Sequence, residues 1–344
     1  MSARDIRHIE ALESFFQTDD VVIVGVLNWG LGHAARCIPI IDWLQTVCKE
    51  VILASDGEAF DLLVKEFPDL QAYRLPSYHI VYRYPNIVAN ILLGGFDITK
   101  AIIQEKSAAS DLAKKTSATV IISDNRLGFR HKNTRNYYLT HQVNLIHKNP
   151  IFSKVGSWIH QYFIGKFDHC FVPDYSGFEA LCPSMSSISD KQYTHIGPQT
   201  RIRKLSIPKI YDILVILSGP EPQKSIFETL IIDLLKHLPD YKIRIIGAGQ
   251  ISQKLHVPNQ FEIIGTLGAK EIEFALNRSK LLIARSGYTT IMDIEKLDLP
   301  AIFIPTPGQT EQEYLAEFHS KKPNYHFLNQ NELNKLQNVI KSLI

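Results

Sequence analysis

Twice along this chain of 344 residues, short apolar runs alternate with segments in which apolar residues recur at helical spacing. VVIVGVL (21–27) and TVIIS (119–123) belong to the first series, and DILVILS (212–218) and KLLIA (280–284) belong to the second. Strands that are apolar throughout are buried on both faces, and helices between them serve as crossovers of parallel sheets. The pattern therefore predicts an α/β protein with two Rossmann-like, doubly wound domains.

A basic, proline-containing segment of little periodicity separates the two series. Because 344 residues exceed what one hydrophobic core usually organises, two domains are expected on length alone. We predict an N-terminal acceptor-binding domain over residues 1–200, a linker over 201–210 and a C-terminal nucleotide-sugar-binding domain over 211–344. Ligands of such sheets bind outside the carboxyl ends of the strands, so the two domains should face each other across a cleft.

Composition narrows the class of protein. The formal net charge is +2, which argues against a nucleic-acid binder driven by phosphate neutralisation. The four cysteines form no CxxC pair and read as reduced thiols. The first residues carry charges where a signal peptide would be apolar, and no run reaches the roughly 18 apolar residues of a membrane span. We expect a cytoplasmic protein whose membrane contact, if any, is peripheral.

The turn after the first apolar run joins two glycines to a histidine. Gly30 and Gly32 fit the G-x-G-x-x-A pattern of dinucleotide binding, and Asp56 follows the second run at a suitable distance. An imidazole at a strand's carboxyl end can instead deprotonate a hydroxyl or a water near neutral pH, which is the role predicted for His33. The alternative for His33 is a helix N-terminal residue bonded to the backbone.

The segment IARSGYTTIMDIE (283–295) predicts an anion site. Free N–H groups and the dipole at a helix N-terminus favour a diphosphate, and a carboxylate one turn deeper can accept both hydroxyls of a ribose. The alternative makes Ser286 a helix cap and Asp293 a solvated charge. The residues predicted here to bind the nucleotide-sugar are Arg285, Ser286, Gly287, Thr289, Thr290 and Asp293.

Two weaker loops complete the predicted donor site. PTPGQTEQEYLAE (305–317) opens a helix with Glu311 and Gln312, which are candidates for contacts with the donor sugar. SGPEP (218–222) is a small-residue turn in which Ser218 and Gly219 would allow a phosphate or sugar to approach closely, although an ordinary turn explains it equally well.

Polar residues after the later N-terminal runs point to the acceptor side. Asp124 ends one run and could orient His33, or it could simply cap a helix. Arg36, Arg126 and His141 are predicted to bind the acceptor. No acidic pair or histidine cluster has metal-ligand spacing, so we expect no metal and no cofactor, with the helix dipole and polar groups stabilising a leaving diphosphate.

These motifs resemble those of the GT-B glycosyltransferases, in particular the superfamily of the peptidoglycan lipid-intermediate N-acetylglucosaminyltransferase. The glycine-rich G-x-G-H loop is matched by Gly30, Gly32 and His33, and the S-G-x-x-T-x-x-E motif by Ser286, Gly287, Thr290 and the shorter acid Asp293. A later H-Q-x-x-N-A motif is matched only by Gln312 and Ala316, because Glu311 and Leu315 stand at the other positions. The resemblance implies inverting, metal-independent transfer of a hexosyl or N-acetylhexosaminyl group from a UDP-sugar to a hydroxyl, in cell envelope polysaccharide synthesis.

Three other functions remain open. The run from Gly30 to Cys37 is equally similar to the UDP-sugar hydrolases of the pseudaminic acid pathway, in which the histidine activates water. An NAD-dependent oxidoreductase would use residues 30–35 but leaves the 286–293 motif unexplained. A sugar-nucleotide sensor would bind the same ligand without turnover.

One further segment bears on a membrane. IFSKVGSWIHQYFIGKF (151–167) places apolar residues at helical spacing, with Lys154, His160 and Lys166 elsewhere. This amphipathic helix either packs on the core or rests on anionic lipid. The aromatic loop at 78–96 adds an apolar tip, so a lipid-linked acceptor is compatible with the sequence.

Overall fold

The structure is a computed structural model that describes residues 11–77, 95–219, 221–249, 258–265 and 267–344, with backbone alone at 95–98. The chain divides into two compact units, Met1–Thr200 and Arg201–Ile344. Ile6, Ile9, Leu12 and Phe16 lie at helical spacing and predict a helix over 5–16. Only its residues from 11 onward are described, and 11–13 are helical. Most of the aromatic loop at 78–96 lies outside the described residues.

The N-terminal unit is built on a parallel sheet in the order β3-β2-β1-β4-β5-β6-β7. Its three central strands β2, β1 and β4 are mostly apolar and buried, as expected for a sheet covered on both faces, whereas the edge strands β3 and β7 are only partly buried. The strands are β1 Val21–Val26, β2 Glu50–Ser55, β3 Ala72–Arg74, β4 Val120–Asp124, β5 Arg135–Leu139, β6 His169–Val172 and β7 Tyr193–His195.

Helices connect these strands on the two faces of the sheet. They are α1 Leu31–Val47, α2 Gly57–Glu66, α3 Gly95–Thr116, α4 Pro150–Ile164 and α5 Pro183–Ser186, with a 3-10 turn at Gly177–Glu179. The strand order changes direction between β1 and β4, which places the carboxyl ends of these two strands at a topological switch point.

The C-terminal unit repeats this design with the parallel order β10-β9-β8-β11-β12-β13. Its switch point lies between β8 and β11. The strands are β8 Tyr211–Ile216, β9 Ile243–Ile246, β10 Phe261–Ile264, β11 Ser279–Ala284, β12 Ala301–Phe303 and β13 Tyr325–Phe327. The helices are α6 Gln223–Leu235, α7 Ala269–Asn277, α8 Tyr288–Glu295, α9 Thr310–His319 and α10 Leu336–Leu343, with a 3-10 segment at Gln330–Lys335.

The predicted α/β class with two Rossmann-like sheets is confirmed, but one boundary near the glycine turn was wrong. The sequence pattern after the glycine turn predicts a helix over 35–48, whereas α1 begins at Leu31 and contains Pro39. Gly30 has φ +76°, a conformation that glycine adopts without strain, and it turns the chain directly into the helix. Glycine and proline are poor helix formers, so they concealed the start of α1.

Short edge strands were also missed. β7 and β13 each have three residues, which is too few for an alternating or continuous apolar pattern to be recognised. Leu333, Leu336, Ile340 and Leu343 share one helical face and predict a last helix over 331–343. This segment begins as a 3-10 helix and becomes α-helical only at Leu336.

Candidate functional site

A histidine–carboxylate pair lies at the switch point of the N-terminal sheet. Val26 and Asp124 are register partners at the carboxyl ends of β1 and β4. The turn at Gly30 brings His33 into the first turn of α1, and its Nδ1 lies 2.6 Å from Oδ2 of Asp124. The structure thus joins two residues that are 91 positions apart and that the sequence analysis predicted to act together.

Arg36, one turn further along α1, completes this cluster. Its Nε donates to Oδ1 of Asp124 at 2.8 Å, and its Nη2 also contacts Asp124. Its Nη1 donates to Nδ1 of His141 at 2.9 Å. Arg36 and Asp124 are almost completely buried, and the arginine balances the charge of the carboxylate. His33 alone retains an opening to solvent, with 14% of its side chain exposed.

The hydrogen bonds of the cluster define the protonation state of His33. Burial alone would raise the pKa of Asp124, but Arg36 and His33 hold it below its ordinary value, so the carboxylate is ionised and can only accept. Nδ1 of His33 must therefore carry the proton that it donates to Asp124, which leaves the lone pair on Nε2. Burial and the charge of Arg36 lower the pKa of His33 despite the opposing effect of Asp124. The ring is therefore neutral at neutral pH.

Arg126, predicted to bind an acceptor, is instead enclosed beneath the site. Its Nε donates to Oε1 of Glu105 at 2.7 Å, and its Nη1 donates to Oδ1 of Asp56 at 2.9 Å. Its side chain is fully buried. This burial argues against direct contact with an acceptor, and Arg126 is better described as a scaffold residue. Asp56, the carboxylate that a dinucleotide-binding loop would need for a ribose, is thus already paired with Arg126.

Glu105 was not identified from the sequence. It lies in α3 and its Oε2 also accepts the backbone N–H of Gly128 at 2.7 Å. One of several charged residues in an amphipathic helix gives no signal of burial, so only the packing of α3 against the loop after β4 reveals the role of Glu105.

The predicted donor residues come together at the second switch point. Ile216 of β8 and Phe303 of β12 are both register partners of Ala284 in β11, so the loops after these three strands are neighbours. After β8, Ser218 and Gly219 are exposed; Gly219 has φ +102°, and among the described residues no atom lies within 4 Å of the position that a side chain would take. The turn therefore permits a close approach of a ligand to the backbone.

The N-terminus of α8 is the segment predicted to bind an anion. Gly287 is the N-cap residue and has no side chain to cap the helix, so the alternative of Ser286 as the N-cap is wrong. Thr289 and Thr290 lie in the first turn and are half-buried, and Asp293 is buried one turn later. The hydroxyl of Ser286 donates to the carbonyl of Gln312 at 2.7 Å, so it ties this loop to α9.

Gln312 is oriented by its own loop. Its Oε1 accepts the backbone N–H of Thr306 at 2.8 Å, and this contact leaves the amide nitrogen to present hydrogen-bond donors. The neighbouring Glu311 occupies the first turn of α9 and is half-buried. Gln312 is thus prepared for an oxygen-rich ligand such as a sugar.

Arg285 lies directly below this loop with 1% exposure. Its Nη1 donates to the carbonyl oxygens of Ile304 and Pro305, both at 3.0 Å, and its Nη2 donates to Oε1 of Gln330 at 2.9 Å. The guanidinium also lies 4.0 Å from the ring centroid of Phe227. Within the described part of the chain, none of its hydrogen bonds reaches a carboxylate. Burial accordingly lowers the pKa of Arg285 to about 10, and the group remains charged at neutral pH.

The comparisons with known proteins agree with this geometry. Residues 245–344 match the family model of the glycosyltransferase family 28 C-terminal domain. No curated protein matches the chain in sequence.

Across all described ranges, no group of three or more His, Cys, Asp or Glu residues is arranged to hold a metal ion.

Solved structures resemble the whole chain at low identity. The glycotransferase of kitacinnamycin aligns with a TM-score of 0.63 at 11% identity, over 94% of this chain and 90% of that chain. The spinosyn rhamnosyltransferase SpnG, complexed with thymidine diphosphate, aligns at 0.60 and 12% over the same shares. MurG of Acinetobacter baumannii aligns at 0.55 and 16%, over 94% of this chain and 91% of that chain.

The fold follows from these alignments: the chain has the GT-B fold that these glycosyltransferases share, as the sequence motifs predicted. Within its C-terminal unit, residues 245–344 are similar to the glycosyltransferase family 28 C-terminal domain. No helix among the residues with described placement is long and apolar enough to cross a membrane.

Proposed function

We propose that this protein is an inverting, metal-independent glycosyltransferase that moves a sugar from a nucleotide donor, UDP-linked, to a hydroxyl acceptor. The observation that carries the proposal is the neutral His33, whose Nδ1–H is held by Asp124 and whose Nε2 is the remaining basic atom. A base of this kind belongs where a hydroxyl must lose its proton during attack.

The reaction is a single displacement. Nε2 of His33 takes the proton of the acceptor hydroxyl as its oxygen forms a bond to the anomeric carbon of the donor sugar. The bond between that carbon and the phosphate oxygen breaks, and the nucleoside diphosphate leaves with the electron pair. Attack from the face opposite the leaving group inverts the configuration. Asp124 stabilises the imidazolium that forms, and its negative charge is already balanced by Arg36.

The donor would be held by the C-terminal unit. The N-terminus of α8, with Thr289 and Thr290, would accept the diphosphate, and the buried charge of Arg285 would favour the additional negative charge of the departing group. Asp293 would accept the ribose hydroxyls, Gln312 and Glu311 would contact the sugar, and Ser218 and Gly219 would line the approach. A structural neighbour bound to thymidine diphosphate supports a nucleoside diphosphate as the ligand class.

The acceptor would be bound by the N-terminal unit beside His33. His141 is the best placed of the predicted acceptor residues, since Arg36 is committed to Asp124 and Arg126 is enclosed. We include a lipid-linked acceptor and peripheral membrane contact in the proposal, because of the aromatic and apolar segments that follow β3 and β5.

Ligand binding tests the donor site first. Thermal unfolding and calorimetry would be measured with UDP, UDP-sugars, TDP, GDP, CMP and NADH, without metal. A ligand at a hundredfold excess over its Kd stabilises the folded state by about 2.7 kcal/mol. We expect stabilisation by UDP that disappears in Asp293→Ala and persists in the control Glu317→Ala, an exposed position on α9. Stabilisation by NADH alone, or by no nucleotide, would overturn the proposal.

Product analysis then separates transfer from hydrolysis. The proposal predicts that a UDP-sugar is consumed faster when hydroxyl acceptors are supplied, and that the sugar appears on the acceptor. Release of free sugar at a rate independent of every acceptor would establish the hydrolase, in which His33 activates water.

A further inference from the structure

The guanidinium of Arg126 joins the carboxyl ends of three strands to helix α3. Besides Glu105 and Asp56, it binds two backbone carbonyls. Nη1 donates to the carbonyl of Val26 at 3.1 Å, and Nη2 donates to that of Pro76 at 3.2 Å. Val26 ends β1 and Asp56 follows β2, while Pro76 follows β3. Because the N–H donors of a guanidinium are fixed in one plane, its four partners are held at set positions relative to one another.

The loop after β4 holds the glycine turn at its start and at its end. At the start, the N–H of Leu27 donates to the carbonyl of Asp124 at 3.2 Å. The carbonyl of Val26, one residue earlier, accepts from Arg126. At the end, Nδ1 of His33 donates to the side chain of Asp124 at 2.6 Å. The position of His33 beside its carboxylate therefore depends on where β1 ends, and Arg126 fixes that point.

The backbone of Arg126 is fixed as well as its side chain. Asn125 has φ +54°, a left-handed conformation that asparagine tolerates better than most residues, and the chain turns sharply there. The hydroxyl of Ser123 donates to the carbonyl of Arg126 at 2.6 Å, and the N–H of Phe129 donates to the same atom at 3.1 Å. The turn lets Asp124 serve the histidine–carboxylate cluster while Arg126 serves the strand ends.

A role in stability alone is the alternative for Arg126. Its side chain is fully buried, and its carboxylate partners Asp56 and Glu105 are 5% and 3% exposed. A lysine would also balance these charges, but its single ammonium group cannot reach four acceptors in one plane. Arg126→Lys thus keeps the positive charge and removes the rigid fork. A purely electrostatic role would tolerate this substitution, whereas a role in placing the end of β1 would not.

We propose that Arg126 is a positioning residue for His33. It fixes the carbonyl of Val26, the point from which the glycine turn leaves β1, and so keeps Nδ1 of His33 against Asp124. If the turn shifts, the imidazole loses the hydrogen bond that confines its proton to Nδ1, and Nε2 is no longer reserved for accepting a proton. The effect on the rate of transfer rests on the proposed function, whereas the location of the proton on His33 does not.

Nuclear magnetic resonance of protein with isotope-labelled histidine tests the location of the proton. The ring-nitrogen signals show which nitrogen is protonated, and the spectrum of His33→Ala identifies those of His33. The wild type should show a protonated Nδ1 at neutral pH. In Arg126→Lys we expect both tautomers of His33, with kcat about tenfold to a hundredfold lower, since a displacement of about 1 Å can cost that much. The KM for the nucleotide-sugar should be unchanged, because the predicted donor residues lie in the other unit.

Arg135→Lys is the matched control. Arg135 also binds a backbone carbonyl and a carboxylate, those of Phe15 and Asp20, but it begins β5 at the amino edge of the same sheet. Both lysine variants should unfold at lower temperatures than the wild type. Only Arg126→Lys should change the tautomer of His33 and kcat.

Glu105→Gln keeps the test decisive if Arg126→Lys does not fold. Glutamine has one acceptor oxygen in place of the two that bind Arg126 and the N–H of Gly128, so the His33 signals should shift in the same direction to a smaller extent. The proposal is wrong if these signals and kcat equal those of the wild type in every folded variant, or if Arg135→Lys changes them equally. If the wild type turns over no UDP-sugar, the proposed function fails, and the tautomer of His33 still decides this inference.

Discussion

Each unit buries an arginine at the switch point of its sheet, and the two arginines differ in their partners. Arg36 in the N-terminal unit is paired with Asp124, so the charges of that cluster are balanced within the protein. The hydrogen bonds of Arg285 described in the C-terminal unit go to backbone carbonyls and the Gln330 side chain. Burying an uncompensated charge is costly, which is why the pKa of Arg285 falls to about 10.

The different partners of the two arginines indicate that the two sites are suited to different ligands. A balanced cluster can set the protonation state of one histidine without attracting further charge, which suits a site where a neutral hydroxyl reacts. An unbalanced cation at the end of a sheet, next to an uncapped helix N-terminus, lowers its electrostatic cost when an anion binds. The proposed chemistry places the hydroxyl in the first environment and the diphosphate in the second.

Removal of the base should have the largest effect on activity. His33→Ala should reduce kcat by about 10²–10⁴-fold, the usual contribution of general-base catalysis. Binding of UDP should be unchanged because the donor residues lie in the other unit. Turnover and calorimetric titration would be measured on the same preparations. His237→Ala, an exposed histidine on the C-terminal unit, is the control, and a turnover equal to wild type in His33→Ala would favour a sensor without catalysis.

Arg36→Met should break the balanced cluster. The substitution leaves the buried Asp124 without its main partner, so the free energy of unfolding should fall by about 3–5 kcal/mol. Denaturant unfolding at pH 7 would measure it. Arg203→Met is the control, because Arg203 pairs with Glu273 but its side chain is 78% exposed, and exposed pairs contribute about 1 kcal/mol or less. If the free energy of unfolding fell by similar amounts in both variants, the assignment of Arg36 as the main partner of a buried carboxylate would be wrong.

Arg285→Met should lower the affinity for UDP more than the stability of the ligand-free protein, the reverse of what is expected for Arg36→Met. The described contacts of Arg285 include no carboxylate, so the substitution leaves none unpaired. The free energy of unfolding without ligand should therefore fall less than in Arg36→Met. Affinity for UDP should fall by about tenfold, in the range of one hydrogen bond to a charged group. The stabilisation by UDP would be compared between wild type and variant. If Arg285→Met loses as much ligand-free stability as Arg36→Met while UDP affinity is unaltered, Arg285 serves the fold alone.

The pH dependence of turnover should show the smallest effect. His33 must be neutral to accept a proton, and its lowered pKa places the acid limb of kcat/KM below the ordinary imidazole value of about 6.5. Asp124 favours the imidazolium, so Asp124→Asn should move the acid limb to still lower pH while the maximum rate falls. An acid limb displaced to higher pH in Asp124→Asn would contradict the assigned electrostatics.

Particular residues show how far prediction from sequence extended. His33 and Asp124 were predicted as partners because each follows an apolar run, and runs that form one parallel sheet end at the same edge. Arg126 was predicted beside them by the same rule and is nevertheless enclosed, because Glu105 and Asp56 surround it. Position at a strand end identifies the edge of the sheet, but it does not reveal which side chains face outward.

The apolar segment after β5 shows the same limit. Its spacing predicted an amphipathic helix, and α4 is one, but spacing is identical whether the apolar stripe meets the core or solvent. Only the contacts of His160 and Gln161 with the domain show that the stripe faces outward.

The sequence by itself determined the two doubly wound sheets, the glycine turn and the uncapped helix start, because these depend on local apolar runs and on backbone preferences of a few neighbouring residues. The tertiary structure decided which charges are paired, which remain uncompensated and which apolar face is left exposed. These are properties of burial and of contacts between residues far apart in the sequence, such as Arg36 and His141 at 105 positions, and neither is encoded in any local pattern.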